Sequence, residues 1–259
     1  MKLFKQFGKN ASRIIKKRGG MEVVGKNRFG DATLKADIEI EKMVSERLSE
    51  MKCSFIGEET EGWWDENAEL VFILDPLDGS ENYKNGFPSY SFAICVGKLK
   101  TRTFSDIEEA FVLDFTTGDK YYARKNGGAF LNGKMIGKRM NKDKLLICAD
   151  LGSFKKRGDM FSFLSEKGYV RMLGTSTLEM CSAACGRADA FLHLGNSMRV
   201  VHSAGSFIMK QAGMNVVDEF GNELEFGLRD DGFNVIATWN PQLQSEILKF
   251  LKMTKKSIF

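Results

Sequence analysis

The chain has 259 residues, of which 43% are apolar and 3 are prolines, and it carries a formal net charge of +4. This length and composition suit one large globular domain or two closely packed halves, and they exclude a disordered chain. The lysines are concentrated near the two ends and form no basic stripe interleaved with aromatic residues, so we expect no nucleic-acid partner.

No stretch approaches the roughly 18–20 apolar residues that a membrane helix requires, and the first residues lack the apolar segment of a signal peptide. We therefore expect a cytoplasmic protein with no membrane partner. The five cysteines are odd in number and lie mostly in apolar runs such as FAICVG. This placement favours reduced, buried thiols over disulfide bonds.

The first part of the chain alternates helices with acid-ended strands. Apolar residues at helical spacing between positions 3 and 15 predict an amphipathic helix, which Gly19 and Gly20 end. The stretch NRFGDAT predicts a glycine-containing loop, and a second helix follows with Asp37 near its start. The runs CSFIGEE and ELVFILD predict two short buried strands. If both strands end at one edge of a sheet, their acidic residues lie side by side, where α/β folds place their sites.

The remaining elements predict an α/β protein. SYSFAICVG, EEAFVLDF, DKYYARK and GAFLNGK have the pattern of strands joined by turns, which predicts a meander. Further on, strand-like LLICADL, ADAFLHLG and FNVIATW alternate with helix-like GDMFSFLSEKG, STLEMCSAACGRA, VVHSAGSFIMKQAG and PQLQSEILKFLKM. We expect layered helices and mixed sheets in two halves, 1–140 and 141–259, that form one integrated globular unit.

The segment VFILDPLDGSEN contains the most informative chemistry. Asp75 and Asp78 end an apolar run only three residues apart, and two carboxylates that close repel each other unless a cation lies between them. Hard divalent cations bind carboxylate oxygens, and the carbonyl of Leu77 can add another oxygen. Glu58 and Glu59 end the other acidic strand. The following GSEN run is typical of a helix N-terminus, which binds anions such as phosphate.

The DPLD motif taken alone is better explained by a structural role than by a metal site. Asp78 would cap a helix, and Asp75 would be a solvated strand end. The second acid-ended strand favours instead a carboxylate cluster beside an anion pocket. That arrangement is used for two-metal phosphoryl transfer.

VFILDPLDGSENYKNGFPSYSFAICVG resembles the signature of the inositol monophosphatase superfamily, which includes the archaeal-type fructose-1,6-bisphosphatases and the nucleotide-sulfate phosphatases. GDATLKADIEIEK, SFIGEE, GGAFLNGK, LGTSTLEMCSAACGRADAF, SAGSFIMKQAG and FNVIAT follow the family's order, so the resemblance spans nearly the whole chain. It implies an αβαβα sandwich and a homodimer. It also implies a lithium-sensitive phosphomonoesterase that hydrolyses a small phosphate ester of the inositol monophosphate or fructose 1,6-bisphosphate class. The expected cofactor is Mg²⁺, with two or three ions bound, and Mn²⁺ or Zn²⁺ are alternatives.

The resemblance also implies metal ligands. Glu58 matches a glutamate that binds metal and orients the attacking water, and Asp75 matches an aspartate that bridges two metals. Leu77 would contribute its carbonyl, and Asp78 would bind the second metal. Asp31 matches an acidic mobile loop that approaches a third metal in archaeal members.

Other matched positions concern catalysis and substrate. Ser80 and Asp37 match a hydroxyl and acid couple that polarises the nucleophilic water. Residues implied in phosphate or substrate binding are Asp78, Gly79, Ser80, Gly174, Thr175, Ser176, Arg171 and His193. His193 occupies a position where inositol-preferring members carry a substrate-binding glutamate, which argues against a simple inositol pocket.

The chain departs from the family's second signature, WDxAAG or VDxAAG. In MRVVHSAGSFIMKQAG the aspartate position falls on Val201 in a gapless alignment and on His202 after a slip of one residue. Valine cannot bind a metal, whereas neutral imidazole can, although it suits zinc and other transition metals better than magnesium.

Three interpretations therefore stay open: a magnesium-dependent phosphatase, a catalytically impaired member that binds phosphate esters, and an altered enzyme that uses His202 with manganese or zinc.

Overall fold

The computed structural model describes residues 1–17, 19–137, 144–152 and 155–256. The helices are α1 (Lys2–Ile15), α2 (Lys35–Leu48), α3 (Ser80–Lys84), α4 (Arg157–Lys167), α5 (Ser176–Ala184), α6 (Ser203–Ala212) and α7 (Pro241–Lys256), with short 3₁₀ turns at Phe104–Asp106 and Val200–His202. The strands of the first half are β1 (Val23–Lys26), β2 (Ala32–Leu34), β3 (Ser54–Ile56), β4 (Leu70–Asp78), β5 (Ser91–Lys98), β6 (Ile107–Asp114), β7 (Lys120–Arg124), β8 (Gly128–Leu131) and β9 (Lys134–Met135). Those of the second half are β10 (Leu145–Asp150), β11 (Gly168–Arg171), β12 (Ala190–Met198), β13 (Asn215–Val217) and β14 (Phe233–Thr238).

The strands form two large sheets and one small hairpin. A seven-stranded sheet has the order β3-β4-β5-β6-β7-β8-β9, and a five-stranded sheet has the order β11-β10-β12-β14-β13. Strands β5 to β9 form the predicted antiparallel meander, whereas β3 and β4 run parallel. β10 pairs in parallel with both β11 and β12. β1 and β2 form a separate two-stranded hairpin.

Alternation along β4 shows how the layers are built. Phe72 and Leu74 pack with α1 and α2 on the outer face of the seven-stranded sheet. Val71 and Ile73 point to the other face, because successive strand side chains alternate, and there they pack with α5 and α6. The same cluster includes Phe191 of β12, so α5 and α6 lie between the two sheets.

Helices α4 and α7 cover the outer face of the five-stranded sheet. The order is therefore helix, sheet, helix, sheet, helix, which confirms the αβαβα architecture. Among the described residues, no helix is long and apolar enough to span a bilayer. The five cysteines are free thiols, and all but the half-buried Cys185 are buried, as expected.

The predicted helices and principal strands are confirmed. The main differences are β9, β11 and β13, which were not predicted because they are only two to four residues long, and the hairpin flanking residues 27–31, where only a loop was expected. The proposed boundary near residue 140 falls within 138–143, outside the described residues, so the division into two halves stays a prediction.

Two isoleucines on α2 test the packing against the sheet. Ile40 is fully buried in the cluster beneath α1 and α2, whereas Ile38 is 37% exposed. We expect Ile40→Ala to lower the free energy of unfolding by about 2–5 kcal/mol, because it removes buried methylenes and leaves a cavity. Ile38→Ala is the matched control, with an expected loss below about 1 kcal/mol. Urea denaturation measures both, and equal losses would contradict this account of the packing.

Candidate metal and phosphate site

The carboxylates of Glu58 and Asp75 meet because their strands are in register. Ile56 of β3 pairs with Ile73 of β4, and both side chains face the middle helical layer. Glu58 and Asp75 each follow two residues later and continue along that face. Asp75 is fully buried, and Glu58 is partly exposed. The predicted meeting of the two acid-ended strands is therefore observed.

Asp78 is bound by the first turn of α5. The Thr177 amide donates a 2.7 Å hydrogen bond to Asp78 Oδ2, and the helix N-terminus adds a favourable positive potential. Asp75 Oδ1 accepts a 3.1 Å bond from the Leu77 amide. Backbone amides thus orient both aspartates of DPLD.

Gly79 allows the chain to turn directly after Asp78. It has φ of +84°, and a Cβ there would lie 2.2 Å from Thr175 Cγ2 and 2.7 Å from the Ser89 carbonyl oxygen. Both the positive φ and the close approach require glycine. The turn brings Ser80, the first residue of α3, to the same edge of the sheet.

His202 completes a cluster with the two aspartates. It precedes α6 as its N-cap residue, and ligating atoms of Asp75, Asp78 and His202 all lie within 4.8 Å of one another. Its Nε2 is 3.5 Å from Asp75 Oδ2. Val201 is fully buried in the core between the sheets. The side chain at the carboxylate cluster is thus His202, as the alignment with a one-residue slip predicts, and Val201, the residue of the gapless alignment, lies apart from it.

The contacts of His202 fit the tautomer that a metal ligand requires. Its Nδ1 lies 3.2 Å from Met198 Sδ, and a thioether sulfur can only accept a hydrogen bond. A proton on Nδ1 leaves the lone pair of Nε2 directed toward Asp75. Burial, together with His193 and Arg199, lowers the pKa of His202 to about 3. The imidazole is therefore neutral at pH 7 and able to bind a metal.

The aspartates carry an electrostatic strain that a cation would relieve. Burial and the neighbouring Glu58 and Asp78 raise the pKa of Asp75 well above its ordinary value. Burial raises the pKa of Asp78 to about 7, although the Thr177 amide opposes the shift. Asp75 Oδ2 is buried and accepts no hydrogen bond from any described residue. A buried oxygen without a donor beside an imidazole lone pair fits a divalent cation.

A polar cavity of about 390 Å³ lies over this cluster. Predicted residues that line it are Asp31, Glu58, Asp75, Leu77, Asp78, Gly79, Ser80, Gly174, Ser176 and His202. Its size and polar lining suit a small, hydrophilic ligand.

Three residues expected to bind substrate do not line the cavity. Thr175 is fully buried and shares a 2.8 Å hydrogen bond with the Ser89 hydroxyl. Arg171 lies on β11, where its guanidinium donates to the carbonyl of the preceding residue. His193 is 3% exposed, and its Nε2 lies 2.9 Å from Ser197 Oγ. Each of these side chains contacts another group of the protein, and none lines the cavity, so the structure does not support their predicted role in substrate binding.

Asp37 has a capping role in the structure. Its carboxylate accepts a 2.7 Å hydrogen bond from the Leu34 amide at the start of α2. Burial and the charge of Glu59 raise its pKa to about 8. No hydrogen bond joins it to Ser80 in the part of the chain that the structure describes, so the Ser80–Asp37 couple stays a prediction.

The sequence interpretation missed Arg199 and Asp150, which also line the cavity. Arg199 Nη1 donates a 3.0 Å hydrogen bond to Glu58 Oε1, and its Nη2 donates to Asp31. Asp150 ends β10 beside His193 of β12. The signal for Asp150 was the acid at the end of LLICAD, the same pattern that identified Asp75. No local sequence pattern identifies Arg199, because its hydrogen-bond partners Glu58 and Asp31 lie 141 and 168 residues away in the sequence.

The model of the inositol monophosphatase family matches residues 1–253. The chain belongs to the inositol monophosphatase family. The chain is 31% identical over 259 residues to the fructose-1,6-bisphosphatase/inositol-1-monophosphatase of Methanocaldococcus jannaschii, with 95% of this chain and 98% of that protein covered. It is 30% identical to human inositol monophosphatase 1, with 97% of this chain and 92% of that protein covered.

Solved structures of this family share the fold. A crystal structure described as an inositol monophosphatase–fructose 1,6-bisphosphatase has a TM-score of 0.83 and 28% identity, covering 96% of this chain and 98% of the other. The Thermotoga maritima inositol monophosphatase has a TM-score of 0.79 at 20% identity, covering 98% and 97%. The latter likeness shows the fold alone. The family and the layered architecture inferred from the signature are thus confirmed.

Two glycines test the turn after Asp78. Gly79→Ala should lower the free energy of unfolding by more than about 2 kcal/mol, because it adds a clash with Thr175 and Ser89 to the strain of positive φ. Gly86 also has positive φ, +71°, but open space around its Cβ position. Gly86→Ala should therefore cost only about 1 kcal/mol. Thermal and urea unfolding measure the difference, and equal costs would show that the close approach is unimportant.

Proposed function

We propose that the protein is a divalent-metal-dependent phosphomonoesterase that hydrolyses a small phosphorylated sugar or inositol. The observation that carries the proposal is the convergence of Asp75, Asp78 and His202 on one buried point beneath a polar cavity. The names of the family relatives support the phosphatase class and the substrate range.

The donor set fits metal ions. Asp75, Asp78 and His202 would hold one cation, and Glu58 would share Asp75 in holding a second, with the Leu77 carbonyl as a further ligand. Bound cations would supply positive charge that neutralises the phosphate and activates a water molecule. The ligand groups come from different elements of the fold, so folding itself assembles the site.

The protein's own groups have separate tasks in this proposal. Gly79 and Ser80 present backbone amides to the phosphate, and Gly174 and Ser176 bound the opposite side of the cavity. Glu58 orients the attacking water, a task that requires its carboxylate to be ionised. Burial raises the pKa of Glu58, whereas the guanidinium of Arg199 lowers it and so favours the ionised form.

The position of His202 favours an active enzyme over the impaired alternative. A site that had lost its ligand would place an inert side chain beside Asp75, but the structure places an imidazole nitrogen there. The inert Val201 lies in the core instead. Because imidazole suits transition metals better than magnesium, we propose that Mn²⁺ or Zn²⁺ supports the reaction better than Mg²⁺.

Phosphate release tests the proposed activity. Inositol 1-phosphate, fructose 1,6-bisphosphate, a nucleotide 3′,5′-bisphosphate and an aryl phosphate are assayed with Mg²⁺, Mn²⁺ and Zn²⁺ in turn. We expect turnover of at least one sugar or inositol ester, and its loss in EDTA. Asp75→Asn should lower kcat/KM by at least about a hundredfold, because a metal ligand is lost. Asp159→Asn is the control and should leave kcat/KM unchanged, because Asp159 is an exposed residue of α4. Absence of turnover together with measurable phosphate-ester binding would support the impaired alternative.

Substitutions at positions 201 and 202 test the metal ligand. His202→Asp should shift the ratio of Mg²⁺ to Zn²⁺ affinity toward magnesium by at least about tenfold, since a carboxylate replaces imidazole. Isothermal titration calorimetry measures this ratio without turnover. Val201→Asp should give no gain in magnesium binding and should lower the free energy of unfolding by about 3 kcal/mol or more, because it buries an unpaired acid. Unchanged zinc affinity in His202→Ala would remove His202 from the site.

We further expect a cytoplasmic homodimer. The location rests on the sequence analysis above, and the dimer rests on the family resemblance. Size-exclusion chromatography with light scattering tests the second.

A further inference from the structure

In the hairpin formed by β1 and β2, apolar packing is confined to β2, where Leu34 is buried. All four residues of β1 are exposed, and β1 pairs only with β2 among the described strands. An isolated two-stranded hairpin is at best marginally stable in water. Its tip, residues 27–31, nevertheless lies over the site, because Asn27 and Asp31 line the cavity. Other contacts must therefore hold the tip in place.

Arg199 makes the contacts that join the tip to the site. Its Nη2 donates to Asp31 in the tip, and its Nη1 donates a 3.0 Å bond to Glu58 at the end of β3. The same guanidinium lies 4.0 Å from the ring centre of Phe29. Arg199 is 23% exposed and Glu58 14%, so their bond is partly shielded from water and is stronger than a surface pair, whereas Asp31 is 59% exposed.

The remaining contacts of the tip are weaker or lie at its edge. Arg28 is 3.6 Å from Asp231, and both side chains are partly exposed. The Thr33 hydroxyl bonds to Glu59, but Thr33 lies in β2, beyond the tip. Arg199 alone combines a carboxylate of the tip, a ring of the tip and a carboxylate of the site.

We propose that Arg199 is a positioning residue whose guanidinium joins Asp31 of the hairpin tip to Glu58 of the site and so clamps the tip over the cavity. Closure of the tip then requires no metal ion. A clamped tip also keeps Glu58 in place, where it orients the attacking water in the function proposed above, on which this part of the inference rests.

Hydrogen–deuterium exchange of the tip tests the clamp in metal-free protein, with EDTA present. Amides of Phe29 and Asp31 donate to Asn27 Oδ1 within the tip, so their exchange reports on how well the conformation of the tip is held. Arg199→Met should increase exchange of the peptide covering residues 27–33 by about tenfold or more, because two charge-assisted hydrogen bonds are lost. Arg199→Lys should give an intermediate increase, since one ammonium replaces the two-pronged guanidinium.

Arg102→Met is the matched control. Arg102 also pairs with a carboxylate, Glu66, and lies 5.7 Å from the ring centre of Trp64, but it is 53% exposed and outside the cavity. Its substitution should leave exchange of the tip unchanged. Asp31→Asn provides a second test that leaves Arg199 and its bond to Glu58 intact. It should also increase exchange of the tip, and it decides the question if Arg199→Met does not fold.

Two results would overturn the proposal. One is exchange at the wild-type rate in Arg199→Met or, should that variant not fold, in Asp31→Asn. The other is a wild-type tip that exchanges rapidly in EDTA and becomes protected only when Mn²⁺ is added, since metal would then close it. Neither readout requires turnover, so failure of the clamp leaves the proposed phosphatase function standing, and loss of activity would not by itself affect the clamp.

Discussion

Crowding of buried carboxyl groups at one edge of the seven-stranded sheet is the constraint on which the rest of the site depends. Burial raises the pKa values of Asp37, Glu58, Glu59, Asp75 and Asp78, and mutual repulsion adds to the shift in most of them. Such a cluster destabilises the fold unless positive charge or hydrogen-bond donors compensate for it. The protein supplies donors from helix N-termini and one guanidinium, and bound cations would supply the remainder.

The layered fold brings these compensating groups to the acids. Helices α5 and α6 lie between the two sheets, and their N-termini reach the ends of β3 and β4. The Thr177 amide at the start of α5 binds Asp78, and His202 at the start of α6 faces Asp75. Both helices also contribute to the largest apolar cluster. The packing that stabilises the protein therefore also fixes the geometry of the site.

The segment from Met198 to His202 distinguishes this chain within its family. The family's second signature places a carboxylate here, and this chain has a neutral imidazole together with an arginine that enters the same cavity. The proposed metal preference rests on this imidazole, and the proposed clamp of the hairpin tip rests on this arginine.

The sequence by itself determined the family, the principal helices and strands, and the acids at two strand ends, because these depend on local patterns: apolar periodicity, the DPLDGS motif and its order among other blocks. It could not decide between Val201 and His202, since the register of a helix start depends on which side chain the core accepts. It also could not reveal Arg199, whose partners are distant in sequence, or show that Thr175 and His193 are buried and do not line the cavity. These features required the tertiary structure, because each is decided by contacts between elements that only packing brings together.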